Sequence, residues 1–528
     1  MIGDFGGIDS TNIHYGEYKK VKNTIPQPEN IEKLRERILE TREETMHHLT
    51  SIPSNHSIML QFLYLLSVEP TIVLYMFAFM LTGDVERAFY SHQACTIDHG
   101  FSIERCSNIS SDPDLNSIVQ PTVSVFHQWN GIAGHVMPMI LAMFMGSYSD
   151  KRGRKTIILL GLIGKLYFSL MLMTISLTRW PLMYTMYVAT IPCSFTGADL
   201  AIFIGCFAYI ADITAPVSRS LRIGMVETSY MITLLLGPAL GHLIWVHHAD
   251  ESYALMFAIN AALVFTAILY SVWNLKSWTP SHGPLVDSRT VKEFFDWSNV
   301  KDTVNTVTKR RFEGDRYKLW MAIAAMAFYV VKPEEKFVLY LHLTRDMQWN
   351  MNTFSHFMTF NRVMYAASLL IALPLLIKVY KWRDSYIGMI GTLSLIAGHL
   401  VYTNANNAIL MYAGAAVGVF GPCVSPILRS ITTKLVEINE IGSACAILAV
   451  MENLVSTISS VMYAQFYKAA LNTVWASTFF YITILSQAIA FYLILFLDMT
   501  HIKKCIFRSR GTHKVDLTFS SNKNYDTS

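Results

Sequence analysis

Twelve stretches of about twenty apolar residues follow one another along the chain, at about 60–82, 124–147, 156–177, 182–211, 223–246, 253–274, 319–343, 353–377, 385–403, 407–428, 441–466 and 473–498. A bilayer core of roughly 30 Å is crossed by about 20 apolar residues in a helix, so these runs have the length to span a membrane. The chain is 52% hydrophobic and 15% charged, well below the ~25% charge of a soluble globular domain. No segments of about ten residues alternate apolar and polar, which argues against a transmembrane barrel. The pattern predicts an all-α membrane protein with twelve transmembrane helices, spans 1 to 12 in chain order.

Lysine and arginine tell the two sides of the membrane apart. With a cytoplasmic N-terminus, 33 of the 42 fall in the N-terminal segment, alternate loops and the tail. Only 5 (Arg87, Arg105, Arg179, Arg345 and Lys468) fall in the opposite loops, and 4 (Lys165, Lys332, Lys336 and Arg362) within spans. Both termini are therefore expected in the cytoplasm, at what we call the basic end of the bundle. The net charge of +4 follows from this bias and calls for no nucleic-acid partner. The first fifty residues are polar and show no signal peptide. Within them, residues 29–50 place Ile31, Leu34, Ile38 and Met46 near one helical face, and "YKKV" at 18–21 fits a tyrosine sorting signal. On the opposite side, Asn108-Ile109-Ser110 is an exposed glycosylation acceptor, whereas Asn55-His56-Ser57 lies inside and should stay bare.

Six spans precede a polar segment and six follow it. The expected organisation is a cytoplasmic segment 1–59, a six-helix bundle 60–274, a linker 275–317, a second bundle 318–498 and a tail 499–528. Asp212 precedes Glu227 in span 5 by the same fifteen positions that separate Glu437 from Glu452 in span 11, a trace of internal repeat. Between spans 2 and 3 stands "GSYSDKRGRKTI", which resembles the loop 2–3 motif of the major facilitator superfamily. Gly146 permits close helix approach, Gly153 a tight turn, and Asp150 and Arg154 charge-assisted contacts across helix ends. The resemblance implies that Gly146, Asp150, Gly153 and Arg154 latch the two halves in the outward-open state and release as the protein rocks.

Further segments carry a closer likeness: "SVEPTIVLYMFAFMLTG" (67–83), "CSNISSDP" (106–113), "CFAYIADI" (206–213), "LRIGMVETS" (221–229) and "SPILRSITTKLVEINEIGS" (425–443). They resemble solute carrier family 46, the proton-coupled folate transporter and its lysosomal relatives, from about residue 66 to 498. The resemblance implies functional positions at Asp150, Arg154, Asp212, Glu227 and Arg429, and Glu452 matches a Glu of the lysosomal branch. A carboxylate buried in a span is costly when ionised, so its protonation can gate movement; Glu227, Glu452 and Asp212 are the proton-coupling candidates, with a structural ion pair as the other reading of Glu227. Arg429 stays charged and can hold an acid group with two N–H bonds, or else serve as a topology anchor. Where the folate branch has Asp, Arg and His, this chain has Ala198, Thr190 and Val331, so three contacts tied to folate recognition or coupling are altered; Asp199, one position on, is a further substrate candidate.

Span 7 contains "AFYVVKPEEKFVLYLHL" (327–343). Ending it at Val331 leaves about 13 apolar residues, too few to cross, so Lys332, Glu334, Glu335 and Lys336 are expected within the membrane, with a break at Pro333. Lys332 and Glu335 are expected to pair, as an outer gate, substrate contact or merely solvated pair. Arg362 in span 8 is an anion-site candidate or a helix–helix partner, and Lys165 and His135 read as structural. The folate branch joins its first-loop Cys to one after span 7, but Gln348 stands at the latter position. Cys106 therefore has only Cys95 within its own loop; the two either form a bridge or remain free thiols. Neither a Walker loop nor zinc-ligand spacing occurs, which leaves no cofactor, no metal and no enzymatic chemistry. The expectation is a secondary transporter, monomer or weak dimer, in the plasma or lysosomal membrane, driving symport of a folate- or conjugate-like organic anion with protons. The alternatives are a lysosomal exporter of muropeptide- or nucleotide-like solutes and a nutrient receptor that binds without transport.

Overall fold

Apolar runs with few breakers form helices because the backbone must satisfy its own hydrogen bonds in lipid. The computed structural model describes residues 67–107, 113–216, 218–247, 252–275, 292–311, 315–349, 351–470 and 478–499, and among these every regular element is helical. Chain contacts separate Met1–Ser67, of which only Ser67 is described, from the unit Val68–Ser528 that holds everything below. The amphipathic stretch 29–50, both sequons' asparagines and most of the tail lie outside the described residues.

Among the described residues, ten helices are long and apolar enough to cross a membrane, so the expected twelve are not all found. They correspond to spans 2–6 and 8–12, among them Arg154–Thr178, Arg219–His247, Ala408–Lys434 and Phe479–Met499. The two exceptions have physical causes. Span 1 is a continuous helix, Glu69–Gln93, that carries Asp84, Glu86 and Arg87 in its second half. Span 7 is divided into Asp315–Tyr329 and Glu335–Asp346 by a short turn at Lys332–Glu334, where Pro333 removes a backbone donor. Span 2 runs from Pro113 to Arg152, well beyond the expected 124–147. One face of it exposes Trp129, Ile132, Val136 and Ile140, each 45–51% accessible. Their spacing of three to four residues makes a continuous apolar stripe that lipid can cover.

Gly153 ends span 2 with φ +98°, and span 3 starts at once with Arg154. This places a charged cluster at the basic end. Arg154 reaches Asp150 through Nη2 at 2.6 Å, Asp212 through Nε at 2.9 Å and Ser149 Oγ through Nη1 at 2.6 Å. Asp212 thus belongs to this cluster, at the end of span 4, and does not join Glu227. Asp150 in turn accepts from the backbone N–H groups of Gly442 (2.8 Å) and Ser443 (2.9 Å) and from Ser443 Oγ (2.8 Å). Those amides open the span 11 helix Ile441–Ala470, so a carboxylate of the first half caps a helix of the second, an arrangement that contributes about 1 kcal/mol in ordinary N-caps.

Arg219 does the converse. Its guanidinium donates to Thr433 O (2.9 Å) at the C-terminal turn of span 10 and to Ala211 O (2.8 Å) at that of span 4, where helix carbonyls lack partners. Ser220 adds hydrogen bonds to Ser430 Oγ (2.7 Å) and Asp384 (2.9 Å). Within the linker, Trp297–Thr308 is a helix capped by Asp296. It lies along the end of span 2, with Lys151 bonded to Asp302 (2.7 Å) and Asn299 (3.0 Å). Lys309 and Arg311 then reach Glu440, both at 2.5 Å. The basic end is closed by these contacts between the halves. At the other end Cys95 and Cys106 are disulfide-bonded, eleven positions apart, which closes a short loop rather than tying the halves together.

A close helix approach in this closure is at Gly146, where an added Cβ would sit 2.9 Å from both Ala446 Cβ and Ser443 Cα. Gly146→Ala should therefore destabilise the protein by about 1–3 kcal/mol, seen as a lower unfolding temperature in detergent. Gly83→Ala, with nothing within 4 Å of the new Cβ, should be neutral or stabilising by about 0.5–1 kcal/mol. Equal unfolding temperatures for the two variants would contradict this packing.

Candidate functional site

A cavity of about 330 Å³ lies between the halves, lined by Ile72 of span 1, His135 and Pro138 of span 2, Asp199, Phe203 and Phe207 of span 4, Glu227 and Tyr230 of span 5, Arg429 of span 10, and Cys445, Glu452 and Asn453 of span 11. Its size is at the lower end of the range for small-molecule sites. Asp199, Glu227, Arg429, Glu452 and His135 on its wall are therefore expensive to keep unless each has a partner or a function.

Arg429 is the centre of the site. Its Nε donates to Glu227 Oε1 at 3.2 Å and its Nη2 to Glu452 Oε2 at 2.8 Å. The guanidinium plane lies over the Phe207 ring, with Cζ 4.3 Å from the centroid. Ser425, one helical turn earlier in span 10, donates to Glu227 Oε1 at 2.6 Å. Glu452 Oε1 is buried and has no hydrogen-bond partner among the described residues. Side-chain exposures of 13–17% for all three charged groups leave Coulomb attraction little screened. One guanidinium thus balances two carboxylates, contributed by the equivalent spans 5 and 11 of the two halves. The fifteen-residue spacing in the sequence pointed at these carboxylates but not at their shared partner.

A second polar centre stands on the first-half wall. Span 4 breaks at Phe195–Gly197, with Gly197 at φ +80° and Ala198 at φ +42°, and resumes as the helix Ala198–Ile213. A positive φ is strained for alanine. The break turns Asp199 into the first turn of the new helix and onto the cavity wall. There it bonds Lys165 Nζ at 2.8 Å and accepts from Tyr75 Oη. Lys165 Nζ also lies 5.0 Å from the Phe79 ring centroid and 5.6 Å from that of Phe168, a cation–π setting. Lys165 and His135, read from sequence as structural, are thus respectively bound to a cavity carboxylate and part of the wall.

The remaining candidates lie elsewhere. Lys332 does not pair with Glu335, because the turn at Lys332–Glu334 changes the helical register between them. Lys332 Nζ instead bonds Tyr365 Oη at 2.7 Å. Glu335 is 3% accessible and accepts from Thr483 of span 12, with His399 Nε2 of span 9 at 3.2 Å. Arg362 donates to the Leu234 carbonyl at 3.2 Å, joining span 8 to span 5. None of these three lines the central cavity. The motif pieces "VEP" and "LRIG" meet in an ion pair, Glu69 with Arg222 at 2.8 Å. Sequence reading missed Ser425, Phe207 and Arg219; the first two are ordinary span residues, and Arg219 looked like one more topology-setting cation.

Comparison with known proteins follows the geometry. Residues 128–459 match the family model described as Major Facilitator Superfamily. The Gallus gallus "Lysosomal proton-coupled steroid conjugate and bile acid symporter SLC46A3" is 26% identical over 436 residues, covering 78% of this chain and 89% of the relative. The Drosophila melanogaster "Probable peptidoglycan muropeptide transporter SLC46" is 25% identical over 434 residues (78% and 81%), and the Bos taurus "Proton-coupled folate transporter" 23% over 414 residues (77% and 86%). Among solved structures, the human organic anion transporter MFSD10 aligns with TM-score 0.60 at 14% identity, over 81% of this chain and 97% of that one. The fucose transporter FucP, in the outward conformation, aligns with TM-score 0.57 at 12% identity, over 81% and 98%. The chain, helical in every described regular element and with its charged cavity between two halves, belongs to the major facilitator superfamily, whose members are transporters and not enzymes, and it resembles solute carrier family 46.

Proposed function

We propose that this protein is a proton-coupled symporter of an organic anion, with Arg429 as the anion site and Glu227 and Glu452 as the coupling carboxylates. The observation that supports this reading is the sharing of Arg429 by a carboxylate from each half. An arriving acid group can take the guanidinium's N–H donors only if a carboxylate gives them up. Released while ionised, that carboxylate would be a buried charge without a partner, at a cost of about 3–5 kcal/mol. A proton removes the charge and so removes the penalty. One proton and one acid group therefore enter together, and the charge of the site stays constant. Glu452 Oε1, with no bond to lose, is placed to take the proton. Phe207 and Phe203 offer ring faces to an apolar or aromatic body.

Relatives named for folate and for steroid conjugates and bile acids are described as proton-coupled, and all these solutes bear acid groups. Ala198, Thr190 and Val331 replace the folate branch's polar residues, which favours a conjugate-like acid over folate. The fruit-fly relative supports a second reading, a muropeptide-type solute that also carries carboxylates. Glu335 and Lys332, away from the cavity, have support positions in the second half, and Arg362 one between the halves. Gly146, Asp150, Gly153, Arg154 and Asp212 are assigned to closing the basic end, taken as cytoplasmic together with both termini, in the plasma or a lysosomal membrane. A non-transporting receptor would show saturable binding without counterflow in proteoliposomes.

An uptake screen of organic acids, with and without an inward proton gradient, identifies the substrate. With it, Glu227→Gln and Glu452→Gln should each lower gradient-driven net uptake about tenfold or more while sparing substrate exchange, since exchange needs no proton release. Wild-type pH dependence in both variants would refute the coupling role. Asp150→Asn removes the charge that caps span 11. It should slow turnover severalfold while changing substrate affinity less than about twofold, because it shifts conformational balance and not the cavity. Unchanged turnover at normal expression would refute the closure role.

A further inference from the structure

At the basic end a separate cavity, about 710 Å³, opens between the ends of spans 5, 7, 8, 9, 10 and 12. The transport reading makes no use of it. Its wall carries Lys318, Lys378, Lys381, Arg383 and Lys434 against a single carboxylate, Asp384. Three of these cations are already matched: Lys318 with Asp315 at 2.9 Å, Lys434 with Asp384 at 2.5 Å and Arg383 with Asp498 at 3.3 Å. Lys378 and Lys381 have no ion-pair partner among the described residues. Lys381 is also held at φ +52°, a left-handed conformation that lysine seldom adopts and that clusters at ligand sites.

Two unpaired lysines facing one cavity repel each other, and an anion between them relieves that repulsion. The rest of the wall fits the other end of an amphipathic molecule. Leu221, Ile377, Ile431 and Leu497 supply apolar surface. Tyr380 and Trp382, 59% and 40% accessible, flank the lysines. Such aromatic side chains settle at the level of lipid headgroups.

We propose that this cavity binds an anionic phospholipid, with Lys378 and Lys381 holding the headgroup phosphate and the apolar wall receiving the acyl chain. Basic pockets between helix ends are suited to phosphate-bearing headgroups. The phosphomonoester of phosphatidic acid carries about −1.5 to −2 charges near neutral pH, which matches the two unpaired lysines. Ser218 and Leu221 of the wall come from the first half and the other lining residues from the second. The site is therefore complete only while the halves meet at this end, and its occupant favours that arrangement.

The test uses the full-length protein purified in a neutral detergent, titrated with phosphatidic acid, phosphatidylcholine and soluble glycerol 3-phosphate, with binding read by native mass spectrometry. Phosphatidic acid should bind, and the Lys378→Gln/Lys381→Gln variant should bind it about tenfold or more weakly. Lys378→Arg/Lys381→Arg should retain binding, and Lys301→Gln, a charge removed at the same end outside the cavity, should leave it unchanged. Monodisperse elution of each variant and an unfolding temperature near wild type exclude misfolding as the cause. Binding that survives the double glutamine change, or that Lys301→Gln weakens equally, would overturn the site. Glycerol 3-phosphate binding as tightly as phosphatidic acid would overturn the assignment to a lipid.

Discussion

Arg429 holds Glu227 of the first half and Glu452 of the second on a single guanidinium at the wall of the central cavity. Everything proposed for transport depends on that shortage of positive charge. A buried cation with one carboxylate is a closed structural pair. The same cation with two carboxylates has a component that can be exchanged, provided a proton or an acid group compensates for what leaves. Because the carboxylates come from different halves, the exchange also bears on how the halves hold together.

The basic end repeats this chemistry in a different role. Arg154 also takes two carboxylates, Asp150 and Asp212, but both belong to the first half, so this ion-pair cluster itself does not span the halves. Its connection to the second half is through helix ends: Asp150 on the first amides of span 11 and Arg219 on the last carbonyls of spans 4 and 10. Helix termini always carry unsatisfied backbone groups. Using them as the contact surface makes closure specific in direction while each bond remains weak enough to break. Span 11 links the two regions, since it presents Gly442 and Ser443 to the basic end and Glu452 to the cavity some ten residues, about 15 Å, further along the helix. In the transport reading, a change in the Arg429 pairing acts on the same helix that Asp150 caps.

Some of this was legible in the sequence and some was not, for definable reasons. Ten of the twelve apolar runs, the re-entry turn at Gly153 and the break at Pro333 depend on a few consecutive residues, and they read correctly. Span 1 departs from the simple pattern because Asp84, Glu86 and Arg87 sit within its helix. That Glu227 and Glu452 were unusual was plain from charge within apolar runs, and Arg429, at the end of span 10, was marked by the family resemblance; that they meet depends on packing between segments about 200 residues apart. The same limit explains Glu335. Its spacing suggested Lys332, but its contacts are His399 and Thr483, which tertiary packing brings to it. Asp199 reached the cavity through a break at Gly197 and Ala198 that a continuous helical reading of span 4 did not anticipate. The linker helix Trp297–Thr308 does carry Trp297, Val300, Val304 and Val307 at helical spacing, but the face it buries is largely polar, with Asn299, Thr303 and Thr306, which apolar periodicity does not single out.

The central claim is that an acid group binds at Arg429 only together with a proton. The direct measurement is proton uptake from a weakly buffered solution, followed with an indicator dye as the substrate from the uptake screen is added to purified protein. The account predicts about one proton taken up per substrate acid group bound at Arg429, because protonation must neutralise the carboxylate that is released. Substrate binding at full occupancy with no proton uptake across the neutral and mildly acidic range would contradict it.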